Sequence, residues 1–173
     1  RIESSAASDV YKRQKWNEEQ DGGKLISTAT KERIELFPKY KKLIKMYYGR
    51  WEEMLRGEIH GTVKILKKLS KDKYNLIALT NWSAETFPVA ISRFDFLKLF
   101  SGIVVSGQIK MLKPNVEIYY HTLNKYNLKP CHCLFIDDKL SNIEGANKCG
   151  IDGIVFESPQ KLVESLKKFG IEI

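Results

Sequence analysis

The sequence predicts an α/β protein: a Rossmann-like parallel sheet with helices on both faces, joined to a small all-helical cap. Short, nearly continuous apolar runs alternate with amphipathic stretches from residue 57 onward: NLIAL at 75–79, IVV at 103–105, LFI at 134–136 and GIVF at 153–156. Strands of that kind, separated by helix-length segments, read as βαβ units covered on both faces. Residues 15–56 carry apolar side chains at helical spacing and no strand signal, so they form a separate helical unit.

Composition narrows the class. At 173 residues with 43% hydrophobic side chains, the chain can bury a full core. No apolar run approaches the roughly 20 residues that span a bilayer, and no apolar h-region follows the N-terminal charges. A cytoplasmic protein without a membrane partner is therefore expected. Cys131, Cys133 and Cys149 are odd in number and crowd one strand and its helix, which suits reduced, small buried side chains better than a disulfide framework. The net charge of +8 favours anionic ligands such as phosphate esters. Lysines are spread over every helix, the pattern of a solvated surface, so nucleic acid is not an expected partner.

Taken in order, RIESSAASDVYKRQ at 1–14 has no sustained period and reads as a non-native or disordered leader. The cap at 15–56 is interrupted by Gly22 and Gly23, and Pro38 can open a helix through KYKKLIKMYYGRW. The α/β unit occupies 57–173. A helix from Gly57 to Lys71 presents Val63, Leu66 and Leu69 on one face and leads into a strand from Tyr74 to Thr80. A helix from Ser83 to Ile91, an irregular aromatic stretch to Phe100 and a strand from Ile103 come next. Pro114 sits at a natural first helical position, with Tyr119 and Leu123 on the buried stripe behind it. The strand CLFID, a helix stopping at Gly150, the strand GIVF and a helix from Pro159 close the chain.

Chemistry gathers at three strand ends, where open parallel sheets bind ligands. Asp137 and Asp138 follow LFI. Adjacent carboxylates repel, and a hard divalent cation such as Mg²⁺ lets both stay ionised. Thr80 and Asn81 follow NLIAL and can hold phosphate oxygens. Lys113 can neutralise charge on a transferring group. Each residue also has a plainer reading, because Thr80, Asp138 or Ser141 can cap a helix and Lys113 can be a surface lysine.

LTNWS, LKPNVEIY and FIDDKLSNIEGA occur in that order within one α/β half, and together they resemble the haloacid dehalogenase superfamily from about Trp16 to the C-terminus. The resemblance implies that Thr80 binds phosphate with Asn81 and Trp82 beside it, that Lys113 is the motif lysine, that Asp137 and Asp138 hold Mg²⁺, and that Asn142 supports the acidic loop. It implies a phosphatase of small phosphate esters acting through an aspartyl-phosphate. A 2-haloacid dehalogenase and a non-catalytic binding module are the alternatives. The family's nucleophile belongs to a DxD motif closing a strand upstream of Trp16. Neither Asp9, followed by Val10 and Tyr11, nor Asp21 in EQDGG supplies it. The chain therefore reads as a fragment lacking its first strand and inactive alone. Cap residues Trp16, Asn17, Gln20, Tyr47 and Trp51 line a substrate pocket or form the cap core, and Trp51 is expected in the core.

Overall fold

The computed structural model describes residues 15–72 and 74–173; the stretch read as a leader lies outside them. Among these residues the cap comprises a helix at 15–21 (α1), Ile26–Leu36 (α2), Lys41–Gly49 (α3) and the single turn Trp51–Met54 (α4). Gly23 ends α1 at φ 96°, a left-handed conformation that costs a side-chain-bearing residue more than glycine. The cap has its own core of Trp16, Ala29 and Ile44, with Tyr47 and Tyr48 packed against it. The Trp16 indole donates to the Ala29 carbonyl at 3.3 Å, so its one polar atom is satisfied inside.

The α/β part continues as His60–Lys71 (α5), Ile77–Thr80 (β1), Phe87–Arg93 (α6), Gly102–Val105 (β2), Ser106–Ile109 (α7) and Val116–Lys125 (α8). Leu134–Asp137 (β3), Leu140–Asn147 (α9), Asp152–Val155 (β4) and Pro159–Lys168 (α10) complete it. β1 pairs in parallel with β2, Ile77 opposite Gly102 and Thr80 opposite Val105. β3 pairs in parallel with β4, Leu134 opposite Asp152 and Asp137 opposite Val155. Among the described residues these are two separate strand pairs.

Side-chain alternation along the strands places helices on both faces. Leu134, Ile136 and Ile154 pack with α5 and α10 through Ile65, Leu69, Leu162 and Leu166. Phe135 and Val104 pack on the other side with α8 and α9 through Ile118, Tyr119, Leu123 and Ala146. The predicted α/β class with a helical cap is the observed one.

Several element boundaries differ from the sequence reading, for local reasons. The first strand begins at Ile77 rather than Tyr74. The helix expected from Ser83 begins at Phe87, because residues 83–86 form a loop whose Ser83 carbonyl accepts the Phe87 N–H. Pro114 precedes α8 instead of opening it, since Lys113 is held by Asn81 and Asn115 is the extended residue before the helix. Cys149 is buried as expected, whereas Cys131 is exposed.

Candidate functional site

The C-terminal ends of β1 and β3 meet through one side chain. Lys113 Nζ donates to the Leu79 carbonyl at 2.8 Å and to Asp137 Oδ2 at 2.6 Å. This is a buried ion pair, with side-chain exposures of 9% and 6%. Asn81 fixes the lysine's backbone on both sides: its Nδ2 donates to the Lys113 carbonyl and its Oδ1 accepts the Lys113 N–H, each at 2.9 Å. Asp137 Oδ1 accepts from the Lys139 N–H at 2.9 Å and from Asn142 Nδ2 at 2.8 Å. Burial pushes this carboxyl's pKa up, but the bonds from Lys113, Lys139 and Asn142 outweigh it and hold the group below the ordinary carboxylate range. Asp138, next in the chain, is exposed.

Thr80 closes β1, Asn81 and Lys113 lie beside it, and Asn142 on α9 is a direct partner of Asp137 at the end of β3. Close backbone approach makes the arrangement possible. A Cβ on Gly145 of α9 would lie 2.4 Å from the Pro114 carbonyl oxygen, so only glycine lets α9 pack against the lysine's loop.

Beside this cluster, between cap and core, lies a cavity of about 200 Å³. Asn17, Asp21, Tyr48 and Trp51 line it from the cap, and Asn81 and Trp82 from the core. Trp51 and Trp82 meet edge to face with ring centroids 5.9 Å apart. Trp82 lines the cavity, and Trp51 lines it too instead of the cap core. Trp16 and Gln20 are buried in the cap, and Tyr47 packs on Trp16.

The sequence reading missed two residues here. Asp21 reads from sequence only as a rejected nucleophile, yet it faces the cavity. Burial pushes its pKa up to about 6, with Glu18 adding to the rise and the Ser83 N–H and Lys139 opposing it. Ser106, wholly buried, donates to the Asp21 carbonyl at 2.6 Å and accepts the Trp82 N–H at 2.9 Å, tying cap to core. The run IVVSG, with a small polar pair closing a strand, was the available signal.

The acidic loop fits Mg²⁺. Asp137 Oδ1 spends both lone pairs on its two donors, leaving one on Oδ2, and Asp138 offers a second carboxylate. Among the described residues no group of three or more His, Cys, Asp or Glu side chains comes together. The remaining positions would fall to water and phosphate, the usual arrangement for this ion.

A parallel α/β core with a lysine–aspartate pair at its strand ends and a helical cap beside them is the architecture of the haloacid dehalogenase-like fold. The chain belongs to the haloacid dehalogenase-like hydrolases: the family model matches residues 5–156, a span that reaches into the stretch read as a leader. It is 26% identical over 115 residues to flavin mononucleotide hydrolase 1 of Arabidopsis thaliana, covering 66% of this chain and 46% of that protein. It is 25% identical over 146 residues to a phosphorylated carbohydrates phosphatase of Thermotoga maritima, covering 84% and 67%. The chain thus spans less than half the length of the Arabidopsis protein. A family enzyme from Bacteroides thetaiotaomicron, solved with magnesium and inorganic phosphate, shares the fold at a TM-score of 0.68 and 19% identity, with 87% of this chain and 80% of that one covered. Among the described residues no helix is long and apolar enough to cross a membrane.

Proposed function

We propose that this chain is the cap and phosphate-binding core of a Mg²⁺-dependent phosphatase acting on small phosphate esters. One observation carries the reading: a buried lysine bridges β1 and β3, with Nζ 2.8 Å from the Leu79 carbonyl and 2.6 Å from Asp137. A buried cation held at strand ends beside a hydroxyl and an amide suits an anion that gains charge during transfer. The Thr80 hydroxyl and the Asn81 backbone N–H bind the phosphate oxygens, the Asn81 side-chain amide being spent on Lys113. Lys113 offsets their charge. Asp137 and Asp138 hold Mg²⁺, which when bound supplies further positive charge at the phosphoryl oxygens. Trp82 borders the leaving group, and Asn142 keeps Asp137 oriented through its 2.8 Å bond.

Phosphatases among the relatives support this reading over a 2-haloacid dehalogenase, as does the FIDD acidic pair. Covalent catalysis also needs a carboxylate nucleophile. Among the described residues Asp137 and Asp138 are the acids at a strand end beside Lys113, and both have other work. We therefore expect residues 15–173 alone to bind phosphate without turning it over. The test is to sequence the native locus upstream of Lys15 and assay the protein it encodes. Hydrolysis of small phosphate esters that requires Mg²⁺ and disappears in Asp138→Asn supports the reading. Unchanged turnover in that variant, or metal-free release of halide from 2-haloacids, overturns it.

A further inference from the structure

The cavity between cap and core differs in character from the rest of this basic chain. Neither lysine nor arginine is among its lining residues, although the chain carries 29 of them. One acceptor on its wall is left without a partner. Asn17 Nδ2 is committed to Tyr47 Oη at 2.7 Å, which leaves Asn17 Oδ1 buried without a hydrogen-bond partner. A buried acceptor left unpaired costs about 1–3 kcal/mol, so it calls for a ligand group that donates. Asp21, one helical turn along α1, contributes a carboxylate to the same wall. Ser83 Oγ and Thr86 Oγ1, also on the wall, each accept one hydrogen bond, from the Glu85 N–H and the Trp82 indole, and several other polar groups are spent. The Trp82 indole N–H donates to Thr86 Oγ1 at 3.1 Å, Tyr48 Oη donates to Gln20 Oε1, and both ends of the Asn81 amide are spent on Lys113.

The remaining walls are aromatic, Trp51 and Trp82 with Tyr48 beside them. A carboxylate, an unpaired amide oxygen and indole faces share one preference, which is for a cation bearing N–H groups. A neutral polyol would satisfy the acceptors but gain less from the carboxylate and the rings. A second anion would meet Asp21 with no lysine or arginine among the lining residues to offset it. The volume, below the usual range of about 300–1,000 Å³ for ligand pockets, limits the guest to a few heavy atoms.

We infer that this cavity is the leaving-group subsite for the phosphate ester of a small primary amino alcohol, its ammonium held by Asp21, Asn17 Oδ1 and the Trp51 and Trp82 rings. The inference rests on the phosphatase reading, because Asn81 borders both the cavity and the Lys113 site and so sets phosphate and ammonium on its two sides.

The test uses the chain as it stands and needs no turnover. Ethanolamine and its neutral counterpart ethylene glycol are titrated separately, with indole fluorescence and NMR chemical shifts as readouts. At pH 7.5 ethanolamine is expected to bind at least tenfold more tightly than ethylene glycol, and Asp21→Asn is expected to reduce the two to parity. Equal binding of both probes by the unaltered chain overturns the inference, whatever the variant does. So does a preference that survives in Asp21→Asn. Inorganic phosphate, titrated separately, reads the neighbouring site. Ammonium binding without phosphate binding removes the phosphatase reading and leaves the cation subsite standing, and the reverse result removes only the subsite.

Discussion

The Ser106 hydroxyl donates to the Asp21 carbonyl at 2.6 Å across 85 residues of sequence, and the same oxygen accepts the Trp82 N–H at 2.9 Å. One fully buried atom therefore sets the distance between the cap wall and the core wall of the cavity. Ser106→Ala leaves both backbone groups without that partner. The expected cost is about 2 kcal/mol in urea unfolding, accompanied by a changed tryptophan emission as the Trp51–Trp82 contact loosens. An unchanged midpoint and spectrum would show that the hydroxyl does not hold the two walls together.

Asp21 makes the opposite prediction about stability. Its folded pKa of about 6 lies above the 3.8 of a free carboxyl, so the folded state binds the proton more tightly between those values. Stability then declines as pH rises from about 4 to 6, and the full penalty is present above 6. Burial sets this rise, with Glu18 on its own helix adding to it and the Ser83 N–H and Lys139 on the acidic loop opposing it. Asp21→Asn should stabilise the chain by on the order of 2 kcal/mol at pH 7.5 and change little at pH 4. A carboxylate kept in place against the stability of the fold is what a binding role predicts. Thermal melts at the two pH values measure it, and equal effects at both would contradict the assignment.

Gly145→Ala reverses a general rule. Inside a helix the change ordinarily gains up to about 1 kcal/mol, but here the new Cβ lies 2.4 Å from the Pro114 carbonyl and 2.9 Å from Tyr119. The variant is expected to be less stable than the parent and to bind phosphate more weakly, because the Lys113 loop must retreat. A gain in stability would mean that the loop yields freely.

Lys113→Met tests the buried pair. Asp137, with its side chain 6% exposed, keeps its bonds from Lys139 and Asn142 but loses its cation. Breaking such a pair costs roughly 3 kcal/mol. A depressed carboxylate pKa contributes stability that is present above the free value of 3.8 and lost as pH falls through the folded value. Without Lys113 that contribution shrinks, so acid unfolding should begin at a higher pH, as followed by circular dichroism. The parent's acid limb in the variant would show that Lys113 does not set this carboxyl.

The sequence made the strand-end cluster legible because its residues come directly after short apolar runs, and parallel strands deliver their C-terminal neighbours to one edge of the sheet. Thr80 and Asp137 needed only that rule, whereas Lys113, eight residues beyond β2, rested on the family resemblance. Asn81 as the clamp on the Lys113 backbone was not legible, since an asparagine after a strand also fits a turn. The cavity was hidden for a different reason. Asp21 and Trp82 are distant in sequence and are brought together by Ser106, a side-chain-to-backbone contact that no period encodes. Trp51 reads as cap core from its helical spacing, and its placement against Trp82 results from how the cap sits on the α/β part.

The phosphate site is central to the proposed function, and phosphorus NMR of inorganic phosphate titrated into the chain tests it most directly, with Mg²⁺ and then with a chelator. Saturable binding is expected, weakening at least tenfold on chelation and again in Lys113→Met and Thr80→Val, both confirmed folded. Absence of binding by the unaltered chain, or binding indifferent to Lys113 and Thr80, would contradict a phosphate site at these strand ends.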